Sequence, residues 1–213
     1  MNDDEQAVVY VVDDDPSVRD AVVSLLDSVG HAVEAFGSAA AFVAAACPDT
    51  PSCVILDVRL PARSGLDLHN DLKMLGNTTP VIFISGHADV PMAVGAMKAG
   101  AVEFLSKPFR DQDLLDAVHR ALDLDRARRR EAAMLGRWRW LRETLSPRER
   151  EIMALVASGL ANKEVASALF ISETTVKVHR AQVMRKMEAR SLPELVRIVD
   201  RLTSTDNATD PSV

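Results

Sequence analysis

Cysteine is scarce in this chain. Its 213 residues include two, Cys47 and Cys53. Two cysteines make no disulfide framework, no CxxC pair occurs, and no His/Cys cluster points to zinc. Both flank a predicted strand entrance, where Cys usually serves as a small buried apolar residue. Long apolar runs are also missing, and no stretch approaches the roughly 18 residues of a membrane span. The opening "MNDDEQ" is acidic and polar, unlike a signal peptide. There is no internal repeat. These absences predict a soluble, cytoplasmic protein with no membrane partner. The remainder is ordinary globular composition, 47% apolar and 26% charged. The length allows one or two domains.

Basic residues are sparse in the front of the chain. Residues 1–110 carry a net −8, whereas residues 145–202 carry a net +3. An acidic front and a mildly basic back predict two modules with different partners. In the front, apolar runs at 8–12, 31–36, 53–58, 80–85 and 101–106 alternate with helical patterns. The first helix starts at Pro16 and is expected to bury Val18, Val22, Leu25 and Val29. Others cover about 38–46, 65–75 and 90–99, and a fifth starts near Asp111 with Leu114, Leu115, Val118 and Leu122 on one side. This alternation predicts a parallel sheet covered by helices on both faces. The working site of such a sheet lies at the carboxyl ends of its strands.

No Pro or Gly interrupts residues 111–135, so the fifth helix can run on as a connector. Arg126, Arg128, Arg129 and Arg130 read as its solvated face, and Trp138 and Trp140 as packing anchors. The back module is helical. Ser146-Pro147-Arg148-Glu149 is a capping box, and its helix ends at Gly159. A short helix covers 162–170. Ser172 caps a third, to about Met187, and Ser191-Leu192-Pro193-Glu194 opens a fourth, to about Leu202. The expected domains are 7–120, a helical linker 121–140, a helical domain 141–203 and a disordered tail 204–213.

The front places "VVDDD" at one strand end and "VILD" at another. Asp13, Asp14 and Asp57 would repel each other unless a cation were shared among them. A hard divalent ion with oxygen ligands, Mg²⁺ above all, relieves that repulsion. Two further strand ends deliver the Ser85 hydroxyl and Lys107, which precedes Pro108. A carboxylate, a metal, a hydroxyl and an ammonium around one point are the equipment for phosphoryl transfer to an Asp. Asp15 reads as the N-cap ahead of Pro16. His87 reads as loop polarity, and His31, His69 and His119 as surface or partly buried polar residues.

Through "VVDDDPSVRD", "VILDVRLPARSGLDL", "VIFISGHADVPMAVGAMKAGA" and "EFLSKPF", residues 7–120 resemble the receiver domain of bacterial two-component response regulators. The resemblance implies a flavodoxin-like five-stranded parallel sheet of order 2-1-3-4-5. It implies that Asp57 is the phosphoacceptor and that Asp13, Asp14, Asp57 and the Arg59 backbone carbonyl hold Mg²⁺. Ser85 and Phe104 take the switch positions, and Lys107 takes that of the family's lysine. It also implies a cis peptide at Lys107–Pro108, a histidine kinase as donor, and a homodimer through the fourth helix, fifth strand and fifth helix, with Met92, Val94, Lys98 and Ala101 contributing.

On the third helix of the back module, a turn of about 100° per residue puts Val176, Arg180, Val183 and Met187 on one side. Thr174, Lys177, Val178, Ala181 and Arg185 fall opposite. Small residues beside Lys and Arg suit close approach to a DNA major groove. The signatures "LSPRERE", "GLANKEVA" and "ETTVKVHR" resemble the LuxR-type helix-turn-helix, an all-α domain. With the receiver they place the chain in the FixJ/NarL group, nearest its FixJ-like members. Lys177 and Val178 then match base-facing positions, and Lys163, Arg180 and Arg185 are candidates for phosphate contact.

The combined expectation is a phosphorylation-controlled transcriptional regulator, not a turnover enzyme, with promoter DNA and RNA polymerase among its partners. One rival reads Asp13-x-Asp15-x-Ser17 as a haloacid-dehalogenase-like phosphatase with Asp13 as nucleophile. Another keeps the receiver but makes the back half a protein-binding module.

Overall fold

A computed structural model describes residues 7–45, 49–87 and 89–209. Cys47 lies outside them. The chain divides into two compact units, 1–129 and 130–213.

Among the described residues, the first unit holds five strands: β1 (Val8–Val12), β2 (Ala32–Phe36), β3 (Ser52–Asp57), β4 (Val81–Ser85) and β5 (Glu103–Ser106). All pair in parallel, in the order β2-β1-β3-β4-β5. Between them run α1 (Pro16–Ser28), α2 (Ala39–Ala44), α3 (Gly65–Met74) and α4 (Val90–Lys98). Helices cover both faces, so the central strands are apolar at successive positions instead of alternating. The strand period of two divides those residues between two cores. Val9, Val11, Cys53, Ile55, Ile82 and Ile84 pack in one. Tyr10, Val12, Val54, Leu56, Val81 and Phe83 pack in the other. Cys53 is a free, fully buried thiol in the first core, and burial pushes it up to about 12.

Short polar side chains start the helices. Asp15 accepts from Ser17 N at 2.8 Å, Ser64 from Leu66 N at 3.2 Å and Asp89 from Met92 N at 2.7 Å. Each such cap stabilises its helix by about 1 kcal/mol. In α1 the buried pair is Val22 and Leu26, with Val18 and Leu25 partly buried. Val29, expected inside, is 50% exposed, because the helix ends at Ser28 and Val29 turns away as its C-cap. Ala101, expected on an open face, is buried at the entry to β5.

The fifth helix, α5 (Asp111–Glu143), is one element of 33 residues. Its first part belongs to the receiver-like unit, burying Leu114, Ala117, Val118, Ala121 and Leu122. Asp125 is fully buried there and accepts from Ser52 N at 3.0 Å, Arg128 at 2.5 Å and Arg129 at 2.7 Å. Arg129 also pairs with Asp49. The expected solvated arginine face is therefore, at Arg128 and Arg129, the neutralising shell of a buried carboxylate. Residues 121–140 are helical throughout as part of α5, and the boundary between the units falls within that span.

The second unit contains the rest of α5, then α6 (Pro147–Ala157), α7 (Asn162–Leu169), α8 (Glu173–Lys186) and α9 (Leu192–Thr209). Leu141, Ile152, Val165, Val176, Val183, Met187, Leu195 and Ile198 form its core. Trp138 packs against that core, whereas Trp140 is 63% exposed. The capping box at Ser146 and Glu149 is complete. At Ser191 only half of one forms: Ser191 Oγ accepts from Glu194 N at 3.4 Å, but Glu194 accepts from Arg190 N. The expected tail disorder does not begin at 204, because α9 continues to Thr209. Asp206 ties that extension to Arg142 at 2.9 Å. Residues 210–213 lie outside the described residues.

Candidate functional site

Sheet register assembles the first site. Val12 of β1 pairs with Leu56 of β3, so the next residues, Asp13 and Asp57, emerge side by side. These adjacent strands are where the chain order reverses, the usual ligand crevice of an open parallel sheet. Ser85 ends β4 opposite Ser106 of β5, and Lys107 follows directly. The Lys107–Pro108 peptide is cis. Lys107 must reach past β4 to meet the acids, which a four-carbon stem allows. Its Nζ donates to Asp13 Oδ2 at 2.5 Å and to Asp57 Oδ2 at 2.6 Å.

The other carboxylate oxygens are also held. Asp13 Oδ1 accepts from Asp15 N, and Asp57 Oδ1 from Arg59 N, both at 2.9 Å. Asp13 is fully buried and Asp57 is 6% exposed, whereas Asp14 is open to solvent. Burial pushes the Asp13 carboxyl above its ordinary value, against the lowering pull of Lys107. Burial pulls Lys107 down, but its bonds to Asp13 and Asp57 outweigh that and hold it above the usual ammonium value. Ligand oxygens of Asp13, Asp14 and Asp57 lie within 4.8 Å of one another. An all-oxygen set of this size suits a hard divalent ion such as Mg²⁺.

Ser85 is fully buried, and its Oγ accepts from His87 N at 3.3 Å. Phe104 is partly buried against the second core. Two supports were not apparent from the sequence. Arg19 Nη1 donates to Asp13 O at 2.7 Å. Gly65 passes so close to β3 that a Cβ there would meet the Asp57 carbonyl oxygen at 2.2 Å. The Gly in "LPARSG" was the available signal, but only the packing of α3 on the β3 end explains it.

The second site lies on α8. Thr174, Lys177, Val178, Ala181 and Arg185 are all exposed, and Val176, Val183 and Met187 are buried. The helix wheel therefore separated the two faces correctly. Lys163 on α7 is exposed. Arg180 is half-buried and donates to Asn162 Oδ1 at 3.0 Å, so it already has a partner. At the far end of α8, Lys186 donates to the buried Glu149 at 2.6 Å and holds its carboxyl below the usual range.

Residues 9–119 match the family described as "Response regulator receiver domain", more than half of the chain. Residues 143–199 match "Bacterial regulatory proteins, luxR family". The chain belongs to the two-component response regulators. Nodulation protein W of Bradyrhizobium diazoefficiens is 52% identical over 96% of this chain and 90% of its own. The transcriptional regulatory protein FixJ of Rhizobium meliloti is 46% identical over 89% and 93%. The solved structure of response regulator StyR covers 92% of this chain and 99% of that one, at 43% identity and TM-score 0.81. Full-length FixJ from B. japonicum covers 92% and 97%, at 39% identity and TM-score 0.54.

The regulator thus joins a receiver to a LuxR-type output domain and is a transcriptional response regulator. That output removes the reading of the back half as a protein-binding module. The phosphatase rival fails on local geometry as well: Asp15 is spent capping α1, and Asp13 is the more deeply buried acid. Among the described residues no helix is long and apolar enough to cross a membrane.

Proposed function

We propose that Asp57 accepts a phosphoryl group from a histidine kinase and that this controls DNA binding through α8. The observation that carries the reading is the Lys107 ammonium shared by Asp13 and Asp57 at the mouth of the sheet. Asp13, Asp14 and Asp57, with the Arg59 backbone carbonyl, would hold Mg²⁺. Bound there, Mg²⁺ neutralises charge on the transferring phosphoryl oxygens. A carboxylate oxygen of Asp57 forms the new O–P bond as the P–N bond of the donor phosphohistidine breaks. The leaving imidazole nitrogen keeps the electron pair and takes up a proton.

Lys107 then exchanges Asp57 for a phosphoryl oxygen, keeping Asp13 as its second partner. Ser85 gives up its bond from His87 N and donates to the phosphoryl group. Phe104 follows inward, a local packing change that biases a two-state surface. Beside the site, a groove of about 510 Å³ lined by Val18, Ala21, Leu25, Pro108 and Phe109 suits a protein donor. Dimerisation across α4, β5 and α5 would pair two α8 helices on a two-fold DNA site. Met92, Val94 and Lys98 remain on that face, and Ala101 does not. Lys177 and Val178 read base edges beside Thr174 and Ala181, while Lys163 and Arg185 contact phosphates. Arg180 joins them only by releasing Asn162. We place the regulator in the cytoplasm, acting as a phosphoryl acceptor and not a turnover enzyme, with RNA polymerase as a further partner at the promoter.

Labelling with a small phosphodonor and Mg²⁺, followed by footprinting on promoter DNA, tests the reading. Asp57→Asn is expected to abolish labelling, and the phosphodonor is expected to strengthen the wild-type footprint. Labelling that survives Asp57→Asn but not Asp13→Asn would reverse the assignment.

A further inference from the structure

Two histidines unused by the acidic site meet elsewhere on the receiver. His31 occupies the corner between α1 and β2, and His119 lies on α5. Their ring centroids are 5.6 Å apart, with the planes inclined by 60°. His31 is partly buried and His119 is exposed, so the pair is open to solvent on one side. His31 N donates to the carbonyl of Leu26 at 3.1 Å, and Leu26 is buried in the same core as Val118 and Leu122 of α5, the helix that carries His119.

The spacing matches that of two imidazoles sharing an ion. A ring nitrogen binds zinc at about 2.0–2.1 Å, which puts each ring centre about 3.2 Å from the metal. At a ligand angle of about 110–120°, two such centres lie about 5.2–5.5 Å apart. The observed separation of 5.6 Å lies just beyond that range. Imidazole nitrogen suits zinc, nickel and copper, whereas all-carboxylate sites suit magnesium and calcium. The two sites on the receiver therefore differ in ligand chemistry.

We propose that His31 and His119 form a two-imidazole site for a borderline divalent ion of the zinc, nickel or copper(II) class, with water completing the shell. Burial, the neighbouring His119 and the Arg126 cation all push the His31 pKa down, which favours the neutral, ligating form. Arg126 also repels a cation, although it pairs with Asp123 at 3.3 Å. Asp13, Asp14 and Asp57 form the only cluster of three potential ligands among the described residues, so no third protein ligand completes this one. The site is consequently weak and exchangeable. Occupied, it ties α5 to the α1–β2 corner.

The test is calorimetric titration of tag-free, full-length regulator with Zn²⁺ in excess Mg²⁺, paired with imidazole NMR. One equivalent is expected to bind in both wild type and Asp57→Asn. His119→Ala and His31→Ala should each weaken it at least tenfold, and acidification through the imidazole range should weaken it as well. The His31 and His119 signals should shift, and those of His69, His87 and His179 should not. His119→Gln, at an exposed position, keeps the test independent of folding. Wild-type affinity in the His31→Ala/His119→Ala double variant would overturn the proposal. Loss of the Zn²⁺ equivalent in Asp57→Asn would also overturn it, by placing the ion among the carboxylates.

Discussion

The two working surfaces of the regulator are built in opposite ways. In the receiver, the polar groups converge at depth: Asp13, Asp57 and Ser85 are buried at the ends of three strands, and Lys107 closes over them. In the output domain, they spread outward along one face of α8, with Val176, Val183 and Met187 anchoring the other. The first surface is held by residues distant in sequence and gains its chemistry from desolvation. The second is set by a local 3.6-residue repeat and gains its strength from charge in solvent. Buried sites are sensitive to single atoms. Exposed faces lose affinity in increments.

The largest expected effects should separate the two surfaces completely. Asp57→Asn should remove phosphodonor labelling while leaving the DNA affinity of the unphosphorylated protein unchanged. Lys177→Ala/Arg185→Ala should label normally yet lose DNA affinity, and gel-shift titrations over a salt series should show the salt slope lowered by about 1 for each phosphate contact removed. If either variant disturbed both readouts, the surfaces would not be independent.

Gly65→Ala comes next. Its Cβ would stand 2.2 Å from the Asp57 carbonyl oxygen, a backbone atom that cannot swing aside as a flexible side chain would. A loss of about 3 kcal/mol is expected in urea unfolding of the receiver transition. Asp125→Ala should cost a comparable amount, about 2–3 kcal/mol, by leaving Ser52 N and Arg128 without their acceptor and Arg129 with Asp49 alone. Asp125→Asn should restore part of it, by accepting from Ser52 N.

The smallest effect concerns acid. The Glu149 carboxyl is held below its unfolded value by Lys186, so its contribution is complete above the ordinary glutamate range. That contribution is lost as the pH falls through the depressed, folded-state value. Thermal melts of the output domain should show this acid sensitivity, and Glu149→Gln should flatten it. A receiver transition equally flattened by Glu149→Gln would break the comparison.

Much of this was legible in the residues. All five strands, the helices between them, the Ser146 box, the Ser172 cap and both faces of α8 follow from apolar periodicity and capping chemistry. The misplacements have specific physical origins. Val29 kept the apolar period but lay one residue past the end of its helix. Trp140 is a large apolar residue that stays mostly exposed. The tail from 204 looked too polar to fold, yet Asp206 is paired by Arg142 from another helix. Arg128 and Arg129 read as a solvated run because nothing local reveals that Asp125 is buried. The hydrogen bond from Arg180 to Asn162 Oδ1, eighteen residues earlier, had no signal in the sequence.

By itself the sequence determined which strand ends carry carboxylate, hydroxyl and ammonium, and which face of α8 is small and basic. Those properties depend on residue type and on short repeats. Tertiary structure decided what those groups do to each other: the β1–β3 register that sets Asp13 beside Asp57, the reach of Lys107 to both, the burial of Asp125, and the meeting of His31 with His119. Each of these depends on the packing of segments far apart in the chain, and no short repeat encodes such a distance.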